Sequence, residues 1–309
     1  MRVEVTRGER VESVHAVAAC VCDPGGRVRF AAGSVDEPVF TRSALKPFIA
    51  AAVVCAGAAD RFELDDRDLA IMSASHSAEA VHRDAVTALL AKAGATVADL
   101  RCGTPEGAPS ALFNNCSGKH AGILVLARAL GAPFATYLEL EHPAQQTILA
   151  FCEGVFGERL RGDRIGVDGC GIPNVAVSLQ RIAAAFARFA QADSGELRRV
   201  RDAMRAHPLL VAGTGRLDTD VGRVTGGRVV AKAGAEGVHG FALVDRGLGA
   251  ALKIVDGARR ADGPASIAVL SAAGALDDAE RAALGAHVRV PVHNVAGRVV
   301  GEVRATAEA

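Results

Sequence analysis

Tryptophan is absent from these 309 residues and tyrosine occurs once, so the chain offers few rings on which nucleic-acid bases could stack. Net charge is also missing. The 35 Lys and Arg residues balance 35 Asp and Glu, leaving no field to draw a polyanion or an anionic membrane. No apolar run reaches the ~18 residues of a membrane helix, and the best candidate, Phe48 to Ala59, reads as a buried core helix. The first ten residues carry charge throughout and lack the apolar centre of a signal peptide, while seven cysteines are an odd count for a disulfide framework. These absences argue against nucleic-acid and membrane partners. They lead to the expectation of a soluble, cytoplasmic protein with reduced thiols, acting on a small neutral or zwitterionic ligand. What is present supports a sizeable core: half the residues are hydrophobic, and a chain of this length buries roughly three quarters of its unfolded surface.

Alternation from Val11 to Val21, a turn at Asp23-Pro24-Gly25-Gly26 and a return from Arg27 to Ala32 predict a hairpin. A helix is expected from near Ser43 to Cys55, and others over Asp65 to Met72, Val81 to Lys92 and Ile123 to Leu130. More follow at about 142–156, 176–190 and 195–206. After Leu217 the pattern returns to strands at Arg228 to Lys232, Val238 to Val244 and Ala250 to Val255. Helices at 264–274 and 276–285 and strands near Val288 to Val290 and Arg298 to Arg304 close the chain. Strands at both ends thus enclose a helical middle with no linker. The expectation is one α+β domain over residues 1–309, with two sublobes.

Four polar clusters interrupt this pattern. Ser43 and Lys46 stand at i and i+3, where a helix beginning near Ser43 would let the two side chains meet. A lysine whose pKa is lowered can take the proton of a serine, which makes the hydroxyl a nucleophile. Alone, the spacing is a weak signal, and an N-capped helix with a solvated lysine is the better reading of it. Ser75-His76-Ser77-Ala78-Glu79 forms the second cluster, with Glu79 placed to cap the helix that follows. Asn114 to His120 forms the third, placed before a buried helix with a glycine that would let the backbone approach a ligand. Lys232-Ala233-Gly234 is the fourth. The order S-x-x-K, a later serine, then a K-x-G strand is that of the penicillin-recognising serine enzymes, α+β domains whose antiparallel sheet uses both chain ends.

Six strings together narrow the resemblance: Thr41 to Pro47, Ser75 to Glu79, Asn114 to Gly122, Asp168 to Pro173, Val211 to Arg216 and Lys232 to Gly237. They resemble the thermolabile, rhizobial-type L-asparaginase II family, amidohydrolases on a serine β-lactamase-like, penicillin-binding-protein-like fold with a helical sublobe. The resemblance implies that Ser43 attacks the side-chain amide of L-asparagine with Lys46 as base, and that Ser75 and Lys232 form a second Ser-Lys pair. It implies zinc held by Cys116, Lys119 and Cys170, and a homodimer. By analogy of fold, the backbone N–H groups of Ser43 and Ala235 would form the oxyanion hole. Arg42, His120, Asp168 and Glu236 lie inside the motifs and are candidates to hold the α-amino and α-carboxylate groups. Each also has a plain role open to it: Asp168 and Glu236 as turn residues, Arg42 as a surface charge, His120 at a helix N-terminus, Cys170 as a small core residue. Ala78, Phe113 and Ala233 depart from the pattern, where glycine, histidine and threonine are usual. A penicillin-recognising hydrolase or peptidase and a catalytically silent zinc or amino-acid sensor are the competing functions.

Overall fold

The computed structural model describes residues 1–306, which two units share in interleaved segments. Of these, the first unit takes residues 1–39, 177–191 and 220–306, and the second takes residues 40–176 and 192–219.

The first unit is built on an antiparallel sheet of eight strands: β1 (Arg2–Arg7), β2 (Arg10–Cys22), β3 (Val28–Ala32), β4 (Val229–Ala233), β5 (Val238–Leu243), β6 (Leu248–Ile254), β7 (Arg289–His293) and β8 (Val299–Thr306). They run in the order β7-β8-β1-β2-β6-β5-β4, with β3 also on β2. Both chain ends meet in it, as the sequence pattern anticipates: Val3 of β1 pairs with Ala305 of β8. The β2–β3 hairpin forms where expected, because the Asp23 carboxylate accepts the N–H groups of Gly25 (3.1 Å) and Arg27 (3.0 Å) and closes the turn. Strand β1 was not anticipated. Its charged ends conceal a strand buried at every residue from Val3 to Thr6, with Val3 and Val5 in the core. The second half of β2 is buried at every residue from Val17 to Cys22, as is usual for a strand covered on both faces. Helix Leu179–Gln191 lies so close on the sheet that a Cβ at Gly249 would stand 2.1 Å from the Ala183 carbonyl oxygen, and only glycine is accommodated there.

The second unit is a cluster of helices around Lys46–Cys55, which is buried at every residue from Lys46 to Val54. A helix apolar all round belongs at the centre of a bundle. Several expectations need correction. The helix does not begin at Ser43: Arg42–Leu45 is a 3-10 turn, and the α-helix starts at Lys46 with Pro47 in its first turn. Helix Ser117–Ala129 starts inside the third polar cluster, so Lys119 and His120 are helical residues. Its Gly118 faces protein: a Cβ there would stand 2.2 Å from the Ile71 carbonyl oxygen, and one at Gly122 2.7 Å from Met72. The two glycines press this helix against Asp66–Met72. The helix expected from 176 begins at Leu179, because Pro173–Ser178 is a strand. Leu217–Val224 is helical where strands were expected to begin.

Candidate active site

Helix Asp66–Met72 runs into an extended segment, Ala74 to Ala78, which crosses the start of helix Ser117–Ala129. Lys46 reaches into that crossing. Its side chain is 1 % exposed, and Nζ donates to Ala74 O (2.6 Å), Ser75 Oγ (3.0 Å) and Asn115 O (3.4 Å). The solvated-lysine alternative is therefore wrong. Burial pushes the Lys46 ammonium below the usual 10.5; the positive charge of Lys119 adds to the effect and the thiols of Cys116 and Cys170 oppose it. A lysine brought to the neutral form offers a lone pair to a hydroxyl at hydrogen-bond distance.

Ser43 sits half-buried on the 3-10 turn, and its hydroxyl makes no hydrogen bond among the described residues. The Lys46 amine is drawn to two backbone carbonyls and to Ser75, so the spacing of Ser43 and Lys46 does not produce a direct hydrogen bond. Arg42, immediately before Ser43, has φ +48°, a left-handed conformation that branched or long side chains rarely adopt. Its guanidinium is bound by the Asp168 carboxylate at 2.8 Å. That removes the surface-charge alternative for Arg42 and gives Asp168 a partner beyond its own turn.

The thiols gather one turn further on. Lys119 Nζ lies 2.8 Å from Cys170 Sγ, Cys170 Sγ lies 3.9 Å from Asp168 Oδ2, and Cys116 Sγ donates to Asn115 Oδ1 at 3.1 Å. The hydrogen bond between the two thiols favours the thiolate of Cys116, against burial and with help from Lys46 and Lys119, and disfavours that of Cys170. Burial would lower the Lys119 ammonium, but the two thiols beside it prevail and hold it above 10.5. Among the described residues no group of three or more His, Cys, Asp or Glu could hold a metal ion. Two thiols with an amine are the available donor set, and thiolates suit zinc.

His120 is fully buried. Its Nδ1 lies 2.7 Å from the hydroxyl of Tyr137, which accepts the Arg101 N–H at 2.8 Å. The phenol proton then has Nδ1 as its acceptor, which leaves the hydrogen on Nε2, and that atom has no partner among the described residues. Burial, with Lys119 and Lys46 nearby, keeps the imidazole neutral well below 6.5. His76 has a structural part: Nδ1 accepts the Ala78 N–H (3.2 Å), so Nε2 donates to Ser117 Oγ (3.0 Å). Burial first, then His82, Lys46 and Arg216, push it down to about 3.

The string Val211 to Arg216 pairs with the Ser75 segment, Ser75 N donating to Val211 O (2.9 Å) and Ser77 N to Ala212 O (2.8 Å). Glu79 is the N-cap residue of helix Ala80–Lys92 and also binds Thr214 through its N–H (2.7 Å) and hydroxyl (3.0 Å). Lys232, Ala235 and Glu236 belong to the first unit. Lys232 is buried on β4 opposite Gly240, and Ala235 precedes Glu236, whose φ is +59°. The structure thus gathers Arg42, Ser43, Lys46, Ser75, Cys116, Lys119, His120, Asp168 and Cys170 in the second unit. Sequence reasoning missed Asn115, Tyr137 and Asn174. Asn115 lies within the string Asn114 to Gly122 and Tyr137 is the lone tyrosine, but Asn174 carried no signal beyond its place after Pro173.

The sequence model of the family described as L-asparaginase II matches residues 3–305. No curated protein matches the chain. Among solved structures, a β-lactamase from Mycobacterium bovis is similar at 16 % identity and TM-score 0.45, over 79 % of this chain and 88 % of that one. A putative β-lactamase from Bacteroides dorei is similar at 15 % identity and TM-score 0.41, over 76 % and 84 %.

Proposed function

The chain belongs to the L-asparaginase II family and is an asparaginase, an amidohydrolase acting on a small molecule; on that footing we propose that it converts L-asparagine to aspartate and ammonia through an acyl-enzyme on Ser43. The observation that carries the mechanism is the buried Lys46 amine, 3.0 Å from Ser75 Oγ and one helical turn after Ser43. Ser43 Oγ bonds to the side-chain amide carbon of asparagine while Lys46 takes its proton. Ser75, hydrogen-bonded to the Lys46 amine, relays that proton to the amide nitrogen, and the C–N bond breaks to release ammonia. Water then adds to the ester carbon, the Ser43 oxygen leaves with a proton, and aspartate is freed.

His120 Nε2–H is a buried donor with no partner among the described residues, suited to an acceptor on the substrate. Arg42 and Asp168 neutralise one another, so they serve by fixing the ground beneath Ser43 as much as by binding charge. Lys232 as second partner of Ser75, the Ser43 and Ala235 N–H groups as oxyanion donors, and Glu236 as a substrate ligand rest on the family pattern. So do the homodimer and the cytoplasmic location. No helix among the described residues is long and apolar enough to cross a membrane.

Cys116, Cys170 and Lys119 would hold zinc, since two thiols and an amine already converge. Zinc bound there would supply a positive centre that orders the pocket. Lys119 must first give up the proton that its thiol neighbours favour. Ammonia release from asparagine and from glutamine, with and without a chelator, tests reaction, preference and metal dependence together. Robust turnover by Ser43→Ala would sink the acyl-enzyme.

A further inference from the structure

We infer that Asn174 is a positioning residue for Ser43, acting through the backbone of Arg42; this rests on Ser43 being the nucleophile. Residue 42 adopts φ +48° without being glycine or asparagine, so nothing in its own chemistry selects that conformation. Something outside must hold it. The Asn174 side chain is buried at 3 % exposure, and its Oδ1 accepts the Arg42 N–H at 3.1 Å while its Nδ2 donates to the Arg42 carbonyl oxygen at 3.3 Å. One carboxamide thus binds both backbone polar groups of the same residue. Only a side chain with an acceptor and a donor side by side can do so.

The neighbouring bonds lock the same place. Thr41 N donates to Val175 O at 2.9 Å, and the Thr41 hydroxyl lies 3.1 Å from that oxygen and 3.4 Å from Asn174 Oδ1. Asn174 itself is fixed in register, paired with Gly166 in the short antiparallel ladder of Ile165–Val167 and Pro173–Ser178. The turn of that hairpin closes through Gly171 N to Asp168 O at 2.8 Å and carries Asp168, which holds the Arg42 guanidinium. A single hairpin therefore holds residue 42 twice, by its peptide groups and by its side chain. Without the carboxamide, Arg42 can relax to an ordinary φ and turn the peptide that leads into Ser43. A displacement of about 1 Å at a nucleophile costs on the order of 100-fold in rate, and it need not change substrate affinity.

The test measures kcat and KM for asparagine in Asn174→Ala, Asn174→Asp, Arg42→Gly and the Arg42→Gly/Asn174→Ala double variant, with thermal unfolding as the check on folding. Asn174→Ala is expected to lower kcat about 10- to 100-fold with KM within about 3-fold. Asn174→Asp, which keeps the acceptor for the Arg42 N–H and loses the donor, should fall between it and the parent. Glycine adopts positive φ without penalty, so in the Arg42→Gly background the Asn174→Ala loss should shrink to under about 3-fold. An unchanged kcat in Asn174→Ala, or the same fold-loss in both backgrounds, overturns the inference. If Asn174→Ala does not fold, the same cycle run with Asn174→Asp reads the coupling and decides in the same way. Ser43→Ala separates the two levels: retained turnover there overturns the nucleophile and the clamp together, whereas a dead Ser43→Ala beside an unaffected Asn174→Ala overturns the clamp alone.

Discussion

Lys46 and Lys119 are both sealed inside the helical unit, each 1 % exposed, yet their surroundings push them in opposite directions. Lys46 is held by two backbone carbonyls and a serine hydroxyl, and although the thiols of Cys116 and Cys170 oppose it, burial prevails and its ammonium is weakened. Lys119 faces two thiols and, beyond them, Asp168, and their negative charge outweighs the same burial. Equal burial does not mean equal chemistry. Burial favours the neutral amine at Lys46, and the neighbouring thiols favour the ammonium at Lys119.

The largest effect that would break this contrast is on turnover. Ser43→Ala and Lys46→Met are each expected to cut kcat/KM by about 10⁴-fold or more, while the unfolding transition shows the fold retained. A Lys46→Met enzyme close to the parent would end the division of labour. Gly118→Ala comes next, because its Cβ would meet the Ile71 carbonyl oxygen at 2.2 Å, across the joint that carries both lysine regions. A loss of about 3 kcal/mol in chemical denaturation is expected, at the upper end for an overpacked site.

Lys119→Met should act more mildly on rate, by about 10- to 100-fold, with a fall in bound zinc measured by elemental analysis. If its activity loss matches that of Lys46→Met while zinc stays bound, the two lysines share one role and the contrast fails. The pH profile sharpens it further. The neutral Lys46 amine is the active form, so kcat/KM should rise with pH along a limb whose midpoint lies below 10.5. His76, already neutral above about 3, adds no limb between pH 5 and 8. A midpoint at or above 10.5 would contradict the buried-base reading. The smallest expected effect is at Ala78, held at φ +56° where the family usually has glycine. Ala78→Gly should raise stability by about 0.5 kcal/mol, seen as a slight increase in Tm, with kcat hardly changed.

Much of the fold was legible because its signals are local. The Asp23 turn, the capping residue Asp65, the stop at Gly94 and the short apolar runs of β4 to β6 each act within a few residues. The misses occurred where tertiary packing overrides a local pattern. Arg42–Leu45 winds as a 3-10 turn because its first residue is fixed from Asn174, 132 positions away. Strand β1 looked like a charged tail until its two valines found the core.

The site divides in the same way. By itself the sequence determined which reactive groups exist and in what order, and so the family and the amide-hydrolysing class, because serine, lysine and cysteine chemistry is written in residue identity. Only the tertiary structure decided what each group faces: that the Lys46 amine meets Ser75, that Lys119 lies against Cys170, and that His120 turns a bare N–H inward. The reason is that a pKa or a hydrogen bond depends on atoms within a few ångströms, and those atoms come from parts of the chain that no spacing rule connects.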